Sequence, residues 1–217
     1  MPKLTLDISM SLDGYVAGPN MRPGVGLGDG AERLHEWAFP TEGFREAHGD
    51  SGGTRNVDSD VLEEMLAVPG AFVMGRRMFG GEGRWDNPVW GDAPWEGWWG
   101  DDPPYHRPVF VLTHHEREPL HKSDTTFTFV TDGIESALEQ ARAAAGDRDV
   151  ALGGGANVAQ QYLEAGLLDE VQIHLAPVLL GRGVALFEGL DPDRIRFEPT
   201  RTIHSPAVTH IRYRVVR

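Results

Sequence analysis

Three consecutive glycines, Gly153-Gly154-Gly155, follow the apolar triplet Val150-Ala151-Leu152 and precede Ala156-Asn157-Val158. Glycine lets a backbone approach an anion closely. The free N–H groups and positive dipole end of a following helix then hold it. A strand–glycine–helix unit of this kind suits a phosphate. It is not the dinucleotide fingerprint of three spaced glycines, because Val158 stands where the third belongs. No Gly-Lys-Ser/Thr follows, so it is not a P-loop either. A tight turn packing a helix against its strand would use the same residues.

Charge sharpens the question. The chain carries 20 basic and 33 acidic residues, a formal net charge of −13. Such a surface repels nucleic acid and anionic membranes, so a bound nucleotide needs a local positive pocket. Gly75-Arg76-Arg77, at the end of the apolar run Ala71–Met74, supplies one. Arginine forks match phosphate oxygens in a bidentate manner, although arginines here could equally pair with nearby acids such as Glu82. Thr113, after Val109–Leu112, offers a hydroxyl to a phosphate or ribose.

The elements that must position these residues read as alternating strand and helix. Leu4, Leu6, Ile8 and Met10 alternate with polar residues in a first strand. A glycine-rich stretch from Gly14 to Gly53 reads as loop, with a short helix around residues 31–38. Asp58-Ser59-Asp60 is expected to cap a helix reaching Ala67, and Asp132 one from Ile134 to Ala145. Further strands are expected at 71–74, 109–112, 126–130, 150–152 and 171–175, with helices after Arg76 and Gly155. Residues 195–203 and 208–215 read as an antiparallel hairpin. The expected fold is α/β, a single domain over 1–217, with a mainly parallel sheet and an antiparallel end.

Other classes recede. There is no cysteine, so disulfides, thiol catalysis and cysteine metal sites are excluded. No run approaches the roughly 20 apolar residues of a membrane span. The N-terminus enters strand alternation directly, without the apolar core of a signal peptide, and the absence of cysteine fits a cytoplasmic protein. His114, His115 and His121 lack metal-ligand spacing, so no metal is expected. His174 and His210 read as outward or interfacial polar residues on strands. Trp85, Trp90, Trp95, Trp98 and Trp99 suit an aromatic lid over a flat ring, a satellite core, or packing against a second subunit.

In order and spacing, five segments resemble the dihydrofolate reductase superfamily, in particular the branch containing the reductase domain of bacterial riboflavin biosynthesis. They are Ser11–Gly18, Val73-Met74-Gly75-Arg76-Arg77-Met78-Phe79, Val111-Leu112-Thr113, Leu152-Gly153-Gly154-Gly155-Ala156-Asn157-Val158, and Leu175–Gly183. The resemblance covers nearly the whole chain. It implies a dihydrofolate reductase-like sheet and NADPH as cofactor. The adenosine 2′-phosphate would fall to Arg76 and Arg77, with Gly75 letting the backbone close in. The pyrophosphate would fall to the turn Gly153–Gly155 with Ala156, Asn157 and Val158. Leu112 and Thr113 would flank the adenosine, and Ile8, Ser9, Val16 and Ala17 the nicotinamide.

By the same resemblance a hydride passes from nicotinamide to a small, heteroaromatic, pterin- or pyrimidine-like substrate, and the protein orients the partners and supplies a proton. The folate enzymes place a carboxylate near the start of the helix before the Gly-Arg turn. Asp60 or Asp58 lies in about that place, and either also suits a cap. Asp13 is a second candidate, and also suits a turn before Gly14. The alternative reading is a non-catalytic nucleotide-binding or ligand-sequestering module of the same fold; a third is a true riboflavin-pathway reductase. A homodimer is expected, with no nucleic-acid or membrane partner.

Overall fold

Short apolar runs become the central strands, and glycine and proline punctuate them. The computed structural model describes residues 2–22, 25–80, 96–97 and 99–216. In chain order the elements are β1 (Leu4–Ser11), β2 (Tyr15–Ala17), a 3-10 helix (Ala31–Leu34), α1 (Glu42–Ala47), α2 (Val57–Ala67), β3 (Ala71–Gly75), α3 (Arg76–Phe79), β4 (Pro108–Leu112), β5 (Leu120–Lys122), β6 (Thr125–Val130), α4 (Ile134–Ala145), β7 (Val150–Leu152), α5 (Ala156–Glu164), β8 (Glu170–Ala176), β9 (Val184–Ala185), β10 (Arg196–His204) and β11 (Thr209–Val216). Among the described residues no helix is long and apolar enough to cross a membrane.

Nine strands form one sheet in the order β10-β11-β8-β1-β7-β3-β4-β6-β5, and β2 pairs separately with β9. From β8 to β6 the neighbours are parallel. The two edges are antiparallel: β11 against β8 with β10 against β11, and β5 against β6. This is the mixed, mainly parallel sheet with a C-terminal hairpin that the sequence implies.

Both faces of the sheet are covered, which is why a parallel strand such as β3 reads as a continuous apolar run. All its residues are buried. Ala71 and Val73 join a core with α4 and α5, while Phe72 and Met74 join a second with Phe79, Tyr105 and Phe127. In β1 the even positions Leu4, Leu6, Ile8 and Met10 pack into the first core. The odd positions Asp7 and Ser9 turn toward the layer that holds α2 and Trp37.

Local chemistry departs from the sequence reading in several places. Asn56, not Asp58 or Asp60, caps α2: its side chain accepts from the Asp58 and Ser59 N–H groups at 3.0 Å, and the Ser59 hydroxyl accepts from the Asn56 N–H. That is a reciprocal capping box. Gly133, not Asp132, occupies the N-cap of α4. The helix expected over 31–38 shrinks to the 3-10 turn, and α1 forms within the stretch read as loop. The strands β2, β5 and β9 are too short to show periodicity. Residues 81–95 and 98 lie outside the described residues, and with them Glu82 and every tryptophan of the rich segment except Trp99, which packs against Tyr105 and Phe127 in the second core.

Candidate active site at the strand ends

Strand order brings the sequence-predicted turns together. β7, β3 and β4 are adjacent and parallel, so Gly153–Gly155, Gly75–Arg77 and Thr113 share one edge of the sheet. In open α/β sheets, ligands bind at such carboxyl ends. The two turns touch: the Gly75 N–H donates to the Gly154 carbonyl at 2.9 Å, and the Gly153 N–H to the Val73 carbonyl at 2.8 Å.

The glycines are there for space and conformation. A Cβ at Gly75 would lie 2.8 Å from Val158 Cγ2, so α5 approaches β3 too closely for a larger residue to fit without a shift. Gly154 has φ +99°, and a Cβ on Gly154 or Gly155 would meet only open space. The Gly154–Gly155 peptide is cis. Gly155 is the N-cap of α5 and no side chain caps it. Ala156 and Val158 pack into the core, whereas Asn157 is exposed and its carbonyl accepts from the Gln161 amide at 2.8 Å.

Arg76 and Arg77 open α3 beside this turn. Arg76 is half-buried and Arg77 exposed. Burial, and then the charge of Arg77, hold the Arg76 guanidinium below its usual range. Two like charges held together beside an uncapped helix start favour an anion. Thr113 is buried, and its hydroxyl accepts from the His115 N–H at 3.1 Å, closing a turn. Leu112 packs its side chain into the first core.

The remaining predicted contacts lie one strand further along. β1 is the other neighbour of β7, and Leu6 pairs with Leu152, so Ile8 and Ser9 continue past the end of β7 toward the glycine turn. Ser9 is buried and accepts from Trp37 Nε1 at 3.0 Å. Val16 is buried in the first core and Ala17 pairs with Val184 in the β2–β9 ladder.

The carboxylates separate sharply. Asp13 accepts from the N–H groups of Leu180 at 3.1 Å and Gly181 at 2.6 Å, stitching the loop after β1 to the loop after β8. Hydrogen bonds from Ser11 and from these amides keep its carboxyl below its usual range. Asp60 is exposed on the first turn of α2. Asp58 is buried and accepts from His210 Nε2 at 3.0 Å.

His174 and His210, read from the sequence as outward or interfacial, are each only 1% exposed. They pair across β8 and β11, their Nδ1 atoms 2.7 Å apart, under the ring of Trp37. Burial lowers the proton affinity of both, most strongly for His174. Below them Asp7 accepts from the Gln172 amide at 2.7 Å. Burial pushes the Asp7 carboxyl up to about 6 against the opposing pull of Arg212 and Gln172. The only sequence signal for this cluster is a polar residue at every second position of three strands, and it gains meaning once β1, β8 and β11 are known to be neighbours.

Comparison with known proteins agrees with this architecture. YyaP of Bacillus subtilis (strain 168), itself uncharacterized, is 23% identical over 214 residues, which cover 95% of this chain and 92% of YyaP. Among solved structures, a Shewanella sp. PV-4 protein assigned provisionally to riboflavin biosynthesis superposes with TM-score 0.64 at 25% identity, over 99% of both chains. Dihydrofolate reductase from Enterococcus faecalis, solved with NADP(H) and RAB-propyl, shares the fold at TM-score 0.51 and 14% identity, over 98% of this chain and 96% of that one. The family model of the RibD C-terminal domain matches residues 2–210, and the chain belongs to that family.

Proposed function

We propose that the protein is an NADPH-dependent reductase of a small heteroaromatic substrate, pterin- or pyrimidine-like. One observation carries the reading: the Gly75–Gly154 hydrogen bond of 2.9 Å joins an arginine-bearing turn to an uncapped helix start. NADPH needs both functions side by side, one for the adenosine 2′-phosphate and one for the pyrophosphate. The NADP(H) bound by the dihydrofolate reductase of the same fold supports the choice of cofactor. Membership of the RibD C-terminal domain family supports a reductase.

Arg76 and Arg77 would hold the 2′-phosphate. Gly154, Gly155 and the first N–H groups of α5 would hold the pyrophosphate, and Leu112 and Thr113 would border the adenosine. Ile8, Ser9, Val16 and Ala17 would border the nicotinamide. NADPH, when bound, supplies the hydride. We assign the proton-handling carboxyl to Asp58 rather than to Asp13 or Asp60. Asp13 is held as a carboxylate by loop amides and Asp60 lies in solvent, whereas Asp58 is buried in a hydrogen-bonded network at the start of α2. General acid catalysis needs a carboxyl held in place within a hydrogen-bonded site, and of the three only Asp58 is both buried and bonded to a second proton-exchanging side chain.

Titration of tryptophan fluorescence with NADPH and NADH tests the reading. The expected preference for NADPH is about tenfold or more in Kd, matching charge-assisted bonds of about 1.5–3 kcal/mol each. Arg76→Ala with Arg77→Ala is expected to erase it. Equal affinity for the two cofactors in the unaltered protein, or an unchanged ratio in the double variant, overturns the pocket.

A further inference from the structure

Four proton-exchanging groups stand in a row beneath α2 and Trp37. Asp58 Oδ1 lies 3.0 Å from His210 Nε2, and His210 Nδ1 lies 2.7 Å from His174 Nδ1. His174 Nε2 lies 3.9 Å from Asp7 Oδ1. Asp7 lines a small cleft with Glu64, Glu170, Gln172 and Arg212, so the row runs from that cleft to the start of α2.

The tautomers follow from what each atom can donate. An ionised Asp58 only accepts, so His210 Nε2 carries a hydrogen. Burial keeps both rings neutral, which leaves His210 Nδ1 a lone pair. The bond between the rings therefore takes its hydrogen from His174 Nδ1. His174 Nε2 is then a lone pair as well. It is buried and has no hydrogen-bond partner among the described residues. A protonated Asp7 is the donor that would satisfy it. The last link exceeds hydrogen-bond length, and a rotation about the soft Asp χ2 torsion has to shorten it before the proton passes.

Building on the reductase reading, we infer that Asp7, His174, His210 and Asp58 act as one unit sharing a single carboxyl proton between its two ends, and that His174 and His210 are positioning residues that load Asp58 when Asp7 ionises. Three one-bond shifts connect the arrangements. The Asp7 O–H breaks as His174 Nε2–H forms. The His174 Nδ1 hydrogen passes to His210 Nδ1, and the His210 Nε2 hydrogen passes to the Asp58 carboxylate. Net, one proton leaves Asp7 and one arrives at Asp58. Both rings remain neutral and exchange tautomers, so no imidazolium forms in the buried layer.

The charges around the row set the balance between its ends. Asp7 faces Arg212 on β11, Glu64 on α2 and Glu170 on β8. His174 faces His210, His35 and Arg212, and His210 faces Asp58 and Arg201. Ionised Glu64 and Glu170 favour keeping the proton on Asp7, and Arg212 favours releasing it.

The test is NMR of the full chain, following the carboxyl ¹³C shifts of Asp7 and Asp58 and the imidazole ¹⁵N shifts of His174 and His210 across pH, in the unaltered protein and in Asp7→Asn. A shared proton moves all four residues over one common transition, since coupled groups titrate as a unit. In Asp7→Asn that transition is expected to vanish at both histidines and at Asp58. Independent transitions at the two carboxyls, or an Asp58 response unchanged by Asp7→Asn, overturn the inference. So does a neutral His174 that keeps its hydrogen on Nε2 at every pH. NADPH titration of the same samples separates the readings: failure to bind NADPH removes the reductase assignment, while the carboxyl and imidazole shifts still decide the shared proton.

Discussion

Gly75→Ala adds one methyl at the point where the Gly75–Arg77 and Gly153–Gly155 turns meet. Gly75 has φ −76°, which any residue adopts, so backbone strain is not at issue. The cost is steric. The new Cβ would stand 2.8 Å from Val158 Cγ2, against an ordinary carbon–carbon contact of about 3.5–4.0 Å. Val158 is buried in the first turn of α5, and a helical valine has one strongly preferred rotamer. The start of α5 must therefore move, and the Gly75–Gly154 hydrogen bond with it. Overpacking of this kind costs about 1–3 kcal/mol, or about 2–4 °C in Tm per kcal/mol for a chain of this size. Val158→Ala alone leaves a cavity and costs about 1–3 kcal/mol. In combination the alanine at 75 occupies the vacated space, so the double variant should cost less than the sum by about 1 kcal/mol or more. Urea denaturation of the four proteins measures that coupling, and NADPH titration should show weakened binding in Gly75→Ala that Val158→Ala partly restores. Additivity to within about 0.5 kcal/mol, or unaltered NADPH affinity in Gly75→Ala, would refute the argument that packing of α5 against β3 sets the cradle.

Two further expectations concern stability. The Asp7 carboxyl titrates at about 6 in the fold against about 3.8 in the unfolded chain, so its ionisation opposes folding. Its favourable contribution is complete below about pH 4 and is lost as pH rises through 6; the gap is worth at most about 3 kcal/mol. Asp7→Asn should therefore be the more stable protein at pH 8, with the difference gone near pH 4, and denaturation midpoints at the two pH values check the sign. Asn56→Ala should cost about 1 kcal/mol through loss of the capping box, as measured by thermal melts, with Asp60→Asn beside it nearly neutral.

The parts of the site that were legible in the sequence are those written in consecutive residues. The glycine triplet, the Gly-Arg turn and the apolar runs before them each announce a strand end by local chemistry. Their adjacency needs only the strand order of a mainly parallel sheet. The buried polar layer is different in kind. Asp7 and Ser9 look like the solvent side of an alternating strand, as do Gln172, His174, His210 and Arg212. They become buried, or in the case of Asp7 and Arg212 half-buried, because β1, β8 and β11 lie side by side and α2 and Trp37 cover them. Nothing local encodes that cover. The caps show the same limit at smaller scale. Asn56, Asp58 and Asp60 all have the chemistry for an N-cap, and the position where the backbone leaves the extended region decides which one serves.

The placement of β1 has a consequence for how the molecule is made. Among the described residues β1 pairs only with β7 and β8, which begin at Val150 and Glu170. During synthesis its apolar edge, Leu4 to Met10, waits for most of the chain to emerge before either neighbour exists. Loop closure over such separations slows folding and leaves hydrophobic surface open in the meantime. A ribosome-bound fragment ending before residue 150 therefore holds this strand unpaired, a natural client for chaperones until β7 and β8 emerge.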